Sequence, residues 1–255
     1  MAPRRTRALA AALIALLLAG CARAPAAPPE DAERARLGLM TSLPLYWPLG
    51  AGVEQIASGR AAVPWQRTAL EEAYELAPLD TLAPIPGLAP DAPESDPLAG
   101  LARLAVIQPR GLSPADNVAL DGWVRGGGRL LLVLDPALTG DYDLPLGDPR
   151  RPVDTALIPP VVARWGLVVA FDESETPAPR RTRLGEASLP LALAGRITVS
   201  AAAKGCTITA AGAAARCRIG KGRAVVLADA ALFEHGELAG EGGAALRALI
   251  AEALE

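Results

Sequence analysis

The stretch Leu101 to Pro136, LARLAVIQPRGLSPADNVALDGWVRGGGRLLLVLDP, decides the fold. Within it Leu104-Ala105-Val106-Ile107 is unbroken apolar sequence running into Gln108, as expected of a strand buried on both faces of a parallel sheet. Ser113-Pro114-Ala115-Asp116 then supplies an N-cap, a proline at the first helical position and an acid at the third, which resembles a capping box. Val118, Leu120, Trp123 and Val124 give an apolar side at helical spacing, and Gly126-Gly127-Gly128 ends the helix. Leu130 to Leu134 is the next buried strand. A strand, a helix and a strand with short connections predict a right-handed parallel crossover and an α/β fold.

Toward the C-terminus, a polar loop at Gly147 to Pro152 precedes a helix predicted over Leu157 to Trp165 and a strand over Leu167 to Phe171. Ile197 to Val199, Cys206 to Ala210, Ala215 to Ile219 and Arg223 to Ala228 alternate or run apolar at hairpin spacing, so this part reads as β-rich and partly antiparallel. Arg180, Arg181 and Arg183 read as a solvated loop, and Leu238 to Leu254 as a closing helix. Toward the N-terminus, the proline-rich Ala83 to Pro97 is a loop, Tyr74 to Leu79 a short strand, Thr68 to Glu75 a helix, and Leu37 to Trp47 a first strand with Thr41 and Ser42 near its end. The tryptophans read as core and rim packing.

Cys206 and Cys217 read as a pair. If Ala211-Gly212 is a hairpin turn, the register sets the two cysteines opposite each other, and opposed strand residues about 5.5 Å apart at Cα suit a disulfide. The third cysteine, Cys21, ends a leader in which Arg4, Arg5 and Arg7 precede the apolar run Ala8 to Gly20, too short to span a bilayer. Leu18-Ala19-Gly20-Cys21 resembles the bacterial lipoprotein signal, which implies cleavage before Cys21 and lipid on its thiol. Ordinary cleavage after Ala24 is the other reading. The expected organisation is a signal peptide over 1–20, a lipidated Cys21 with an Ala/Pro tether over 21–36, and one domain over 37–255, facing the periplasm from an inner or outer membrane.

Removing the leader's three arginines from 25 basic against 28 acidic residues takes the formal net charge from −3 to −6, which disfavours nucleic acid as a partner. The membrane partnership rests on lipid at Cys21.

Leu104 to Pro109, Leu112 to Asp116 and Leu120 to Pro136, with the closing Gly220 to Phe233, GKGRAVVLADAALF, resemble the class I glutamine amidotransferase-like domain of ABC-type transport auxiliary proteins, the gliding-motility type included. That resemblance implies a flavodoxin-like sandwich with a mostly parallel sheet and a C-terminal antiparallel hairpin portion, in the envelope, partnered with an ABC transporter permease or other envelope proteins. In amidotransferases a cysteine on a sharp elbow follows the corresponding strand. Here Asp135-Pro136-Ala137 stands there, and the one histidine, His235, lies in Glu234-His235-Gly236. The expectation is a chain that is not an enzyme and needs no cofactor or metal, accessory to an ABC-type system. Two other readings stay open, a hydrolase or sugar-processing enzyme using strand-end carboxylates, and a structural lipoprotein.

In open α/β sheets ligands bind beyond the carboxyl ends of strands, so Thr41, Ser42, Gln108, Asp135 and Asp229 are candidate ligand-binding residues expected to share one edge. Asp135 and Asp229 would there bind a cation or cap the following turns. Asp148 with Arg150 and Arg151 would form an anion site or a rigid turn held by its own ion pair.

Overall fold

The computed structural model describes residues 34–89, 91–200 and 205–255; the leader, Cys21 and the tether before residue 34 lie outside them. The unit from Ala35 to Glu255 begins two residues before the expected boundary. Its strands are β1 Ala35–Thr41, β2 Tyr74–Pro78, β3 Arg103–Ile107, β4 Arg129–Val133, β5 Leu167–Ala170, β6 Arg180–Leu184, β7 Ala187–Leu191, β8 Arg196–Val199, β9 Cys206–Thr209, β10 Ala214–Ile219 and β11 Gly222–Leu227. Its helices are α1 Val53–Ala57, α2 Trp65–Glu71, α3 Pro114–Gly126, α4 Pro160–Arg164, α5 Ala231–Glu234 and α6 Ala244–Leu254.

The architecture is mixed α/β around a mostly parallel sheet of order β2-β1-β3-β4-β11-β10-β9. β2, β1, β3, β4 and β11 run parallel, and β10 and β9 continue the sheet antiparallel. Alternate residues of the central strands face two apolar cores. Ala105, Leu131 and Val225 pack with Leu246, Leu249 and Ile250 of α6 on one face, while Val106, Leu132 and Val226 pack with Leu120 and Val124 of α3 and Trp165 on the other. Burial on both faces is what the unbroken apolar runs at Leu104 and Leu130 require.

The capping box at α3 is formed: the Ser113 hydroxyl accepts from Asp116 N, and the Asp116 carboxylate accepts from Ser113 N. The second Asp116 oxygen accepts from the Thr81 hydroxyl and from Leu82 N and Ala83 N, so the carboxylate pins the proline-rich loop to the helix. Burial opposes ionisation there, but these hydrogen bonds hold the group well below the usual carboxylate range. Gly222 opens β11 hard against the end of α3. A Cβ at that position would lie 2.0 Å from Val124 O, so only glycine fits.

Cys206 and Cys217 are opposed in the β9–β10 register and joined in a disulfide. The closing helix starts at Ala244 rather than Leu238, because Gly240, Gly242 and Gly243 adopt left-handed backbone with φ of 72°, 57° and 76°. The first strand stops at Thr41, well before Trp47. The run at Arg180 to Arg183 is a strand paired with β7, not a loop, and β5 pairs with β8 in another two-stranded sheet. Among the described residues no helix is long and apolar enough to cross a membrane.

Candidate functional site

Thr41, Gln108, Asp135 and Asp229 stand at the carboxyl ends of β1, β3, β4 and β11, on one edge of the sheet. Chain order reverses between β1 and β3, where such sheets open a crevice. Here that crevice is plugged. Gln108 is fully buried with φ of 44°, and its amide donates to Asp135 O at 3.0 Å and Val153 O at 2.8 Å while accepting from Asp135 N at 2.8 Å. Ser42 closes the other side, its hydroxyl donating to Gln108 O at 2.6 Å and accepting from Val153 N at 3.3 Å. Gln108 and Ser42 therefore hold the loops together.

The strand-end aspartates are likewise consumed. Asp135 accepts from Ala137 N at 2.8 Å and Ala230 N at 2.7 Å; Asp229 accepts from Ala192 N at 2.7 Å and Ala231 N at 2.9 Å. Both are sealed from solvent, at 0 % and 1 % exposure. Burial raises Asp135 to about 7 and, reinforced by the neighbouring Asp135 charge, raises Asp229 to about 8. They cap the turns that follow, and among the described residues no acid or histidine cluster suits a metal ion.

Next to them Glu234 binds the 139–142 loop. One oxygen accepts from Gly140 N and the Tyr142 hydroxyl, the other from Thr139 N and its hydroxyl. Burial and the adjacent Glu234 push the Tyr142 phenol far up. His235 Nε2 lies 2.9 Å from Thr139 Oγ1, which makes it part of the same knot. In the polar loop Asp148 takes a bidentate contact from Arg150 at 3.0 and 2.7 Å, which lowers it to about 2. Arg151 pairs with Asp154 and donates to the carbonyls of Tyr142 and Leu144. These contacts form the rigid turn rather than a pair of open guanidinium forks.

What remains open at this edge is a cleft of about 240 Å³, bounded by the loop after β1, the end of β2 and Arg150. Thr41, Tyr46, Trp47, Asp80 and Arg150 line it. Trp47 is 43 % exposed and packs edge-to-face on Tyr46 with centroids 4.9 Å apart, while the Arg67 guanidinium sits 4.2 Å from the Tyr46 ring. The Thr41 hydroxyl accepts from Leu43 N and keeps its own proton to donate. Asp80 is the exposed acid of the cleft and makes no salt bridge among the described residues. The structure thus brings Thr41, Ser42 and Arg150 together and leaves Gln108, Asp135 and Asp229 as scaffold. Sequence reasoning missed Tyr46, Trp47 and Asp80, whose only signal was their place just after strands.

No family model matches the chain, and no curated protein matches it in sequence. Its structure is similar to an exo-β-1,4-mannosidase from an Opitutaceae bacterium, with a TM-score of 0.47 and 14 % identity over 87 % of this chain and 36 % of that one. It is also similar to a cold-adapted β-galactosidase from Rahnella, with a TM-score of 0.40 and 12 % identity over 77 % of this chain and 29 % of that one. A β-galactosidase of glycoside hydrolase family 42 gives 0.43 and 13 % over 77 % and 28 %. The chain spans about a third of the length of these enzymes. Against the expectation that the chain is not an enzyme, these three similar structures are glycosidases. At these TM-scores the likeness assigns neither a substrate nor catalytic residues.

Proposed function

We propose that this chain is a sugar-processing protein of the bacterial cell envelope, exported by its leader, held to a membrane by lipid on Cys21, and taking a sugar in the carboxyl-edge cleft. The observation that carries the ligand class is the half-open Trp47 ring beside Thr41, Asp80 and Arg150. A sugar offers an apolar C–H face to an aromatic ring and a rim of hydroxyls to acceptors and donors. A cleft of about 240 Å³ suits one sugar unit. With Asp135 and Asp229 sealed and Asp148 tied to Arg150, Asp80 is the carboxylate placed to work on the ligand. The disulfide supports export, since such bonds persist outside the reducing cytosol.

Thermal-shift titration of the purified protein with simple sugars and envelope-derived saccharides tests this reading. At least one sugar raises the melting temperature, Trp47→Ala weakens that sugar by about tenfold or more, and Asp80→Asn removes any release of reducing ends. A panel with no shift, or a shift that survives Trp47→Ala, overturns it.

The order β2-β1-β3-β4-β11 with helices on both faces supports the flavodoxin-like, amidotransferase-like sandwich that the 101–136 stretch resembles. On that reading an ABC-type permease is the expected protein partner, and in-membrane crosslinking that recovers no transporter subunit removes it.

A further inference from the structure

The opposite edge of the sheet carries a different chemistry. Arg103 of β3 is level with Arg129 of β4, Arg129 with Arg223 of β11, and Arg223 with Arg218 of β10, so four arginines stand in one register across four adjacent strands. Residues in register point to the same face, here the α6 face. Lys221 extends the row at the β10–β11 turn. Like charges set opposite one another are unfavourable unless an anion lies among them. The anions near at hand are few. Arg216 pairs with Glu252, Arg129 donates to Leu254 O, and Arg223 donates to Glu255 O, so part of the row caps the C-terminal turn of α6. Arg36 pairs with Glu75. Arg103, Arg218 and Lys221 make no salt bridge among the described residues, and Arg218, Lys221 and Arg223 are exposed. Beside them a groove of about 740 Å³ runs between Arg216, Arg218 and Arg223 and the acids Glu252 and Glu255 at the end of α6.

The same edge receives the chain from its anchor. β1 starts at Ala35, paired with Tyr74 at the start of β2, and its Gly38 is level with Leu104, which follows Arg103. The segment 22–34 joins Cys21 to that point and, fully extended, reaches at most about 45 Å.

We infer that the amino edge of the sheet, through Arg103, Arg218, Arg223 and Lys221, docks on the anionic membrane surface to which Cys21 is tethered, leaving the ligand cleft on the far edge turned outward. The inference rests on the lipid-anchor reading for its geometry. Its chemistry is charge complementarity: a basic cluster beside an anionic bilayer gains roughly fivefold in surface affinity per residue, and an acyl anchor plus a basic patch is a two-part attachment.

The full-length protein, isolated from its membranes, is floated with vesicles of phosphatidylcholine alone and of phosphatidylcholine with phosphatidylglycerol, and amide exchange is measured on each. Flotation with the neutral vesicles reports the lipid anchor by itself. On anionic vesicles the amides of 219–223 exchange several-fold more slowly than on neutral ones, high salt abolishes the difference, and residues 44–51 at the cleft stay unchanged. Arg218→Glu with Lys221→Glu loses the protection while flotation on neutral vesicles persists. If the protein fails to float on neutral vesicles the anchor is lost, and salt-sensitive flotation on anionic vesicles alone then sustains the basic edge without it. Equal exchange on both vesicle types, absence of flotation on both, or protection centred on the cleft overturns the inference.

Discussion

The two edges of one sheet are built by opposite rules. At the carboxyl edge the buried polar groups are spent: Gln108, Asp135, Asp229 and Glu234 give their oxygens to backbone N–H groups, and the cleft beside Trp47 is left open. At the amino edge four arginines repeat in register, with Arg218 and Lys221 unpaired and exposed. Buried acids without cations can be tolerated only through hydrogen bonds, whereas exposed cations need none. The carboxyl edge is therefore organised for stability around a small site, and the amino edge for a partner with negative charge.

The largest test of this contrast removes a buried acid. Asp135→Ala strands Ala137 N and Ala230 N, and Asp229→Ala strands Ala192 N and Ala231 N. At about 1–3 kcal/mol for each buried donor left unpaired, either variant is expected to lose roughly 2–6 kcal/mol. Urea unfolding reads this as a lower midpoint with an unchanged slope. A loss below about 1 kcal/mol would show that water reaches this edge and that the contrast is false.

The sequence made the strand, helix, strand unit at Leu104 to Leu134 readable because its signals are local: apolar runs, a capping box and a glycine stop. The disulfide register was readable for the same reason. The candidate edge was readable too, since Thr41 and Ser42 follow a strand. The rest depends on contacts between distant positions. Nothing local says that the Gln108 side chain will bond residues 27 and 45 positions away, or that Arg103, Arg129, Arg218 and Arg223 share one register. The β6–β7 hairpin was hidden because its exposed positions include Arg181 and Arg183, so its sequence has the polarity of a loop, while Leu184, Ala187, Leu189 and Leu191 are buried.

A second test is pH. Asp135 and Asp229 are raised to about 7 and about 8 by burial, against about 4 for a solvated aspartate. Between those limits the folded state keeps protons that the unfolded chain has released. The stability these two groups contribute is therefore fully present below about pH 4, is lost as pH rises to about 8, and is level above. Asp229→Asn should flatten this slope in denaturation series at several pH values, and a wild-type stability that climbs from pH 5 to 8 would contradict it.

A third test falls on the disulfide. Cys206 and Cys217 enclose a short loop, 11 residues apart in sequence, and tie β9 to β10. Replacing both with serine should cost about 3 kcal/mol by the loop-entropy argument. Reduction of the wild type should reproduce the loss, and a double variant as stable as the wild type would mean that the strand pairing already fixes this edge.

The smallest effect separates the two edges most cleanly. Arg218 is exposed and set directly opposite Arg223, so Arg218→Ala removes a repulsion and breaks no ion pair. Its expected effect is within about 0.5 kcal/mol and in the stabilising direction, larger at low salt than at high salt. Arg129→Ala makes the internal comparison: Arg129 is half-buried and donates to Leu254 O at the end of α6, so its loss should destabilise by about 1 kcal/mol. If both variants destabilise alike, the whole row serves to cap α6. If only Arg129 does, Arg218 is held in a stabilisation-neutral position by something outside the folded chain, which is what a surface built for an anionic partner requires.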